Sequence, residues 1–290
     1  MVDVIVQGVL LGGLYTLFAL GQSLMFGVMR LTNTAQGDFI VLGAYAAIAC
    51  VSVLGLPLLA SLLAVPVLAF GFGYALQRRV LNGTLGRDPL PSLVVTFGLA
   101  IVIQNLLLEL FSADPRSIEI GELASQGIHL GNHLGSDVSI GVLPVIILVV
   151  ALLATAGLQW LFARTALGRA FRAVSDDPEI AELMGLSSAR GFALATAIAF
   201  MLIAIAGLLQ GMRTTVAPAD GPMLLLFAFE AVIIGGMGSF WGTLLGAMLL
   251  GLAQQIGFRV DPGWGIWFGH LVFLAVLVFR PQGLFPRTRG

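Results

Sequence analysis

The sequence predicts an all-α polytopic membrane protein, a single transmembrane domain over residues 1–290, and three observations carry that prediction. Charged residues make up only 10% of the 290 residues and hydrophobic ones 58%, whereas a soluble domain carries about 25% charge. Mean hydropathy is +1.01, and so few charges cannot coat a surface facing water, although they suffice for one facing lipid. The apolar residues also gather into uncharged stretches of about 20 residues, the length that crosses the hydrocarbon as a helix.

Taken in order, the first stretch is Val4 to Met29. The next, Phe39 to Gln77, is too long for one crossing, and Gly55-Leu56-Pro57 divides it into a second and a third. Pro89 to Leu108 is the fourth, Val138 to Ala163 the fifth and Gly191 to Met212 the sixth. Pro222 to Gly257 is apolar apart from Glu230 and is interrupted by GGMGSFWG, Gly235 to Gly242. Its first limb, about 15 residues, is short for a crossing and reads as a half-helix or re-entrant piece, tolerated where protein surrounds the broken backbone. Pro262 to Phe279 closes the series, so eight or nine membrane segments are expected. Gly8/Gly12, Gly207/Gly211 and Gly242/Gly246 have the spacing that lets helix backbones approach closely.

Arginine placement orients the chain. With the N-terminus outside, eleven arginines fall in inner segments (Arg30, Arg78, Arg79, Arg87, Arg164, Arg169, Arg172, Arg190, Arg280, Arg287 and Arg289) and three (Arg116, Arg213 and Arg259) in outer ones. Cytoplasmic loops are enriched in Arg and Lys, so the expected topology is N-terminus outside and C-terminus inside. The N-terminus carries Asp3 rather than a basic region and does not read as a cleaved signal.

Composition also removes function classes. There is no lysine, so this chain holds no phosphate-binding P-loop, and any ATP that drives it is bound by another chain. One cysteine, Cys50, excludes a disulfide framework. Net charge of −1 gives no reason to expect nucleic acid. Zinc-helix, nucleophile-elbow and Gly-x-Gly-Asp signatures are missing, which argues against an intramembrane enzyme. His129 and His133 are four apart but lie in a glycine-rich external loop, where helical presentation of a metal site is not expected.

Two places concentrate polarity. In NTAQGDFIVLGAY, Asn33, Gln36, Gly37 and Asp38 follow the first span closely. They read either as a short cytoplasmic turn, suited to Asn, Gly and Asp, or as groups lining a gate on a solute path, since polar groups at membrane depth face cavities. Glu230 is the second, an intramembrane carboxylate one turn before a glycine break. It is a candidate contact for a cationic or amine-bearing solute, a partner for an arginine such as Arg213, or a protonated or interface-buried carboxylate. Gly235, Gly236, Gly238 and Ser239 remove bulk just beyond it and are candidates for the other wall of the path. His270 reads as a contact within the helical core.

The inner segment of residues 164–190 is not loop-like. Thr165 to Ser175 is helical in pattern, and Asp177 can cap a second helix that starts at Pro178, carries Glu179 in its first turn and stops at Gly185. A capped, charged helix pair is either an interfacial element or a docking element for a cytoplasmic partner.

TALGRAFRAVSDDPEIAELMGL in that segment resembles the cytoplasmic coupling loop of the branched-chain amino-acid ABC transporter permeases. Three more stretches resemble the same family, in the same order: GLYTLFALGQSLMFGVMRLTNTAQGDFIVLGAY, EAVIIGGMGSFWGTLLGAMLLG and FRPQGLFP. The likeness is closer to the H-type permease of the pair than to the M-type. It implies half of a transmembrane heterodimer in a bacterial inner membrane, served by a periplasmic binding protein and driven by two ATPase subunits. It places Gly168, Arg169, Arg172, Asp177, Pro178, Ala181 and Gly185 on the motif that would enter an ATPase groove. Asn33, Gln36, Gly37 and Asp38 fall on the family's Asn-x-Ala-His-Gly-Glu motif, with Gln36 where His is usual and Asp38 where Glu is usual. Gln36 cannot titrate near neutral pH, so a pH-sensitive role is not expected here. A stand-alone channel is the competing class, but it needs a repeated polar stripe that is not found. Members of the family also carry urea, amides and other small organic solutes, and the sequence alone does not choose among them.

Overall fold

The computed structural model describes residues 2–86, 88–121, 127–130 and 138–285; of the side chains at 128–130 and 138–139 nothing is said. His133 and the side chain of His129, like Arg87, Pro286, Arg287 and Arg289, lie outside the described residues. Among the described residues, seven helices are long and apolar enough to cross a membrane. They are α1 (Val2–Met29), α3 (Leu58–Arg79), α4 (Leu90–Phe111), α5 (Val142–Arg164), α8 (Ser188–Arg213), α9 (Gly221–Gly235, with the 3-10 turn before it) and α10 (Phe240–Val260). Two shorter apolar helices, α2 (Gln36–Ser52) and α11 (Gly265–Phe279), share the bundle. Two small helices, α6 (Ala166–Asp176) and α7 (Pro178–Leu183), project at one end. Arg30, Arg78, Arg79 and Arg164 gather at that end, called here the arginine-rich end. At the other end lies an antiparallel hairpin, β1 (Gly127–Leu130) with β2 (Val138–Gly141), paired Gly127 to Gly141 and Leu130 to Val138. The sequence gives no period-2 signal strong enough to expect those strands.

Helix boundaries follow local chemistry. Gly55, at φ +63, turns the chain between α2 and α3, and Pro57 caps α3. Prolines at the first or second position open α4, α7 and α9, where a missing N–H costs nothing.

α1 and α8 form the centre, and their apolar windows are 78% and 72% buried, against 17% for α4. α1 packs most heavily on α10, and α8 on α3. Gly8 and Gly12 on α1 lie against Leu252 and Met248 of α10, and Gly207 on α8 against Ile40 of α2, so the small-residue spacings are helix contacts. Helices of the two halves run in opposite senses. α1 runs toward the arginine-rich end and α8 away from it, and each is followed by a helix that starts inside the bundle. α3 and α10 again run in opposite senses, as do α4 and α11.

Candidate functional site

The polar stretch Asn33 to Asp38 is not a turn in water. Asn33 and Gln36 are wholly buried and Asp38 is 3% exposed. After Met29 the chain re-enters the bundle. Gln36 Nε2 donates to the carbonyl of Phe18 at 2.9 Å, eleven residues back along α1, which is about 16 Å of climb. Asn33 Oδ1 accepts from the Ala35 amide at 3.1 Å within the climbing segment, and the Thr34 hydroxyl meets that of Thr96 at 2.8 Å, which ties the segment to α4. α2 therefore begins deep in the bundle.

α9 begins in the same place from the opposite direction. Tyr45, on α2, donates its hydroxyl to the Val216 carbonyl at 2.9 Å. Between Val216 and Gly221 the chain descends along α2 until Gly221 lies against Asp38 and Gly37. Two broken helices thus meet N-terminus to N-terminus, with their positive dipole ends converging and Asp38 between them. Side-chain oxygens of Gln22 and Gln36 are buried nearby without a partner among the described residues. Unsatisfied acceptors at this depth are costly unless water or a passing solute reaches them.

Glu230 and the glycine stretch occupy other levels. Glu230 Oε1 lies 2.5 Å from His270 Nδ1, joining α9 to α11. The carboxylate is 1% exposed, and its Oε2 has no partner among the described residues. Arg213, the alternative partner, makes no ion pair among the described residues. Gly235, Gly236, Gly238 and Ser239 form the turn between α9 and α10 at the arginine-rich end, so they sit near Gly27 rather than at the depth of Asp38. Gly236 and Gly238 have φ of 102 and 82, conformations open to glycine. Ser239 Oγ accepts from the Gly242 amide at 3.1 Å and caps α10. The amides of Leu284 and Phe285 donate to the carbonyls of Ile234 and Gly235, so the C-terminal segment caps α9. Glu230→Ala strands His270 and empties a buried site, and its expected cost is about 3 kcal/mol. Glu230→Gln keeps a hydrogen bond to the ring and should cost about 1 kcal/mol. Thermal unfolding in detergent separates the two.

At the arginine-rich end, α6 and α7 are built as the sequence indicates. Thr165 Oγ1 accepts from the Gly168 amide at 3.1 Å. Gly168 packs so closely that a Cβ there would lie 2.2 Å from the Leu161 carbonyl. Arg172 donates to the Phe162 carbonyl, which ties α6 to α5. Arg169 is exposed. Asp177 accepts from the Glu179 and Ile180 amides, both at 3.0 Å, with Pro178 as the first helical residue. Ala181 is buried, and Gly185, at φ +85, ends the helix. Asp177→Ala should cost about 1 kcal/mol and speed hydrogen exchange at the Glu179 and Ile180 amides while leaving the transmembrane helices protected. Sequence reading passed over the outer surface of this element, where Ile180, Leu183 and Met184 are 59%, 86% and 79% exposed. Three adjoining apolar side chains beside Glu179 and Glu182 form an exposed apolar tip.

The sequence profile of the family described as branched-chain amino acid transport system / permease component matches residues 4–280. This chain belongs to that permease family. The chain is 31% identical over 295 residues to the high-affinity branched-chain amino acid transport system permease protein BraD of Pseudomonas aeruginosa, covering 98% of this chain and 95% of that protein. The LivH protein of the corresponding Escherichia coli system is 28% identical over 97% of this chain and 94% of its own. The fructose import permease protein FrcC of Rhizobium meliloti is 31% identical over 72% of this chain and 60% of its own. Among solved structures, PsaBC from Streptococcus pneumoniae in complex with Fab shares the fold at a TM-score of 0.50 and 13% identity, covering 95% of this chain and 91% of that one. A permease of this family has several apolar helices and transports solute across a membrane, which is the coarse class the sequence implied.

Proposed function

We propose that this permease is the transmembrane subunit of an ATP-driven importer of branched-chain amino acids in a bacterial inner membrane. Its N-terminus lies outside and its arginine-rich end faces the cytoplasm. It forms the translocation path with a second, M-type permease. A solute-binding protein delivers leucine, isoleucine or valine at the hairpin end, and two cytoplasmic ATPase subunits drive the cycle. The single observation that carries this reading is the family match over residues 4–280, joined to full-length relatives that carry that transport name.

Geometry supports the division of labour. A push needs a stiff receiver, and residues 164–190 supply one: a double-capped helix pair tied to α5 through Arg172 and to α1 through the Ser175 hydroxyl, which donates to the Gly27 carbonyl at 3.0 Å. Gly168, Arg169, Arg172, Asp177, Pro178, Ala181 and Gly185 shape that element, and Ile180, Leu183 and Met184 present it to the ATPase. The path or gate is assigned to the converging starts of α2 and α9, with Asn33, Gln36, Gly37 and Asp38. Glu230 stands one level further in, and Gly235, Gly236, Gly238 and Ser239 form the inner turn. The chain itself holds no cofactor and catalyses no reaction, and ATP belongs to the partner subunits.

Uncharged sugar is the second reading, because one relative carries a fructose name. The deciding experiment is a mild-detergent pull-down of the tagged chain from native membranes with mass spectrometry, followed by uptake of labelled leucine and fructose. Co-purification of an M-type permease and two ATPases with leucine uptake is expected. A chain that purifies alone as a homo-oligomer overturns the importer reading, and uptake of fructose alone moves the solute class to sugars.

A further inference from the structure

Two cavities meet along one face of α3. Leu68, Phe72, Ala75 and Arg79 follow one another at four, three and four residues, so they line up on a single side of that helix. Leu68 and Phe72 border an apolar groove of about 250 Å³ between α2 and α3, with Phe200, Ile203 and Ala204 of α8 as its floor. The floor is closed on both flanks. A Cβ at Gly43 of α2 would lie 3.0 Å from the Ala204 Cα, and one at Gly73 of α3 would lie 2.7 Å from the Phe200 Cβ. Phe39, Phe72 and Phe200 form an aromatic wall, with ring centroids 6.1, 4.5 and 6.0 Å apart in pairs. Leu68 and Phe72 are 68% and 49% exposed, so the groove opens sideways to whatever surrounds the bundle.

Ala75 and Arg79 border the second cavity, of about 340 Å³, together with Tyr74 and Arg78. Arg78 and Arg79 are exposed, and among the described residues neither makes an ion pair. Arginine at the inner end of a span is general; what distinguishes these two is a cavity on the same helix face as an apolar groove. Helix rise sets their separation. Phe72 lies seven residues and Val65 fourteen residues before Arg79, which is about 10 and 21 Å along the axis. The hydrocarbon of one leaflet is about 15 Å deep, so an acyl chain whose headgroup sits at Arg79 ends inside the groove. A guanidinium grips phosphate through two parallel N–H donors, and basic pockets beside inner helix ends suit acidic headgroups. Free phosphate has nothing to fill the groove, and a neutral lipid has no net charge to answer the two cations.

We propose that this face of α3 binds one anionic phospholipid from the leaflet at the arginine-rich end. Its phosphate lies in the cavity of Tyr74, Arg78 and Arg79, and one acyl chain crosses Ala75 and Phe72 into the groove. The chain fills the gap between α2 and α3 and rests on Phe39, three residues into α2, so the lipid braces the helix that starts in mid-bundle. The site is independent of which solute the permease carries.

The test is native mass spectrometry of the full-length permease, purified with any subunits that accompany it, stripped of lipid and titrated. The probes are dioleoylphosphatidylglycerol, dioleoylphosphatidylcholine with the same chains, and glycerol 3-phosphate with none. The first phosphatidylglycerol should bind about thirtyfold more tightly than phosphatidylcholine, about fivefold from each arginine, and glycerol 3-phosphate should not bind in the same range. Arg79→Gln should weaken phosphatidylglycerol about fivefold and leave phosphatidylcholine where it was. Arg79 is exposed, so this variant folds as wild type does. Arg164→Gln, at the same end but on α5 and outside the cavity, should change neither lipid. Ala69→Phe places a ring in the groove and should weaken both lipids about tenfold. Equal binding of the two lipids by wild type overturns the headgroup site, as does a loss in Arg164→Gln as large as in Arg79→Gln. Glycerol 3-phosphate bound as tightly as the lipid makes this a site for free phosphate and overturns the lipid, and unchanged lipid binding by a folded Ala69→Phe overturns the groove.

Discussion

Gly37→Val should be the most damaging single substitution in the bundle, lowering stability by about 3 kcal/mol or more. A Cβ at Gly37 would lie 1.8 Å from the Gly221 carbonyl and 2.6 Å from the Leu225 amide. Both obstacles are backbone, so no rotamer change relieves the clash, and α2 must separate from α9. Asp38 is displaced with it, because that carboxylate lies against Gly221 from the same turn. A control exists on the bundle's outer surface: a Cβ at Gly98 meets nothing within 4 Å, and Gly98→Val should change stability by about 0.5 kcal/mol or less. Paired thermal melts in detergent read the difference. Equal melting of the two variants would mean that the starts of α2 and α9 do not meet in the membrane. Gly37→Ala is informative for transport, because even a methyl group would hold the two helix starts apart.

How much of this was legible in the sequence depends on the range of the interaction responsible. Spans of about 20 apolar residues announce themselves, and so do caps, where the deciding hydrogen bond reaches two or three residues, as from Asp177 to Glu179 and Ile180. The short first limb before the glycine break was visible for the same reason. Depth was not visible. Nothing local says that Arg30 to Ala35 climbs back beside Phe18, since the climb is fixed by contacts to α1 and α4. Because depth was hidden, Asn33 to Asp38 could be read as a turn in water or as a gate, and their burial removes the first of those. The Glu230–His270 pair joins residues forty apart in sequence, a partnership that spacing does not encode. The glycine stretch was recognisable as a break, but its level, next to Gly27 and under the C-terminal segment, required the tertiary fold.

The broken helices α2 and α9, which meet at their starts, share a physical basis. A transmembrane helix that starts in mid-bundle leaves bare N–H groups there, which lipid cannot satisfy. Pairing two such starts shields both within protein, and small residues at the crossing (Gly37 and Gly221) allow the approach. Gly37 and Gly221 thus bring elements of the two halves together through backbone, as Gly207 with Ile40 and Gly251 with Gly8 do at other places in the bundle.

Leu183→Asp should abolish coupling without unfolding the permease. Leu183 is 86% exposed at the end of α7, so the substitution removes almost no packing within the chain, and its own melting temperature should move by about 1 °C or less. At a docked interface the outcome reverses. The Leu183, Ile180 and Met184 tip would enter an apolar groove, and a carboxylate placed there is desolvated without a partner, a loss of about 3 kcal/mol or more, or over a hundredfold in affinity. ATPase co-purification should therefore fall sharply, and leucine uptake with it. Glu182 precedes Leu183 and is exposed too, yet Glu182→Ala should have a small effect, because a rim charge adds little binding energy. The contrast between neighbouring positions separates a groove-filling apolar contact from a general electrostatic one. If both variants retain the ATPase, α7 is not the docking element, and the tip of the arginine-rich end must serve the membrane surface instead.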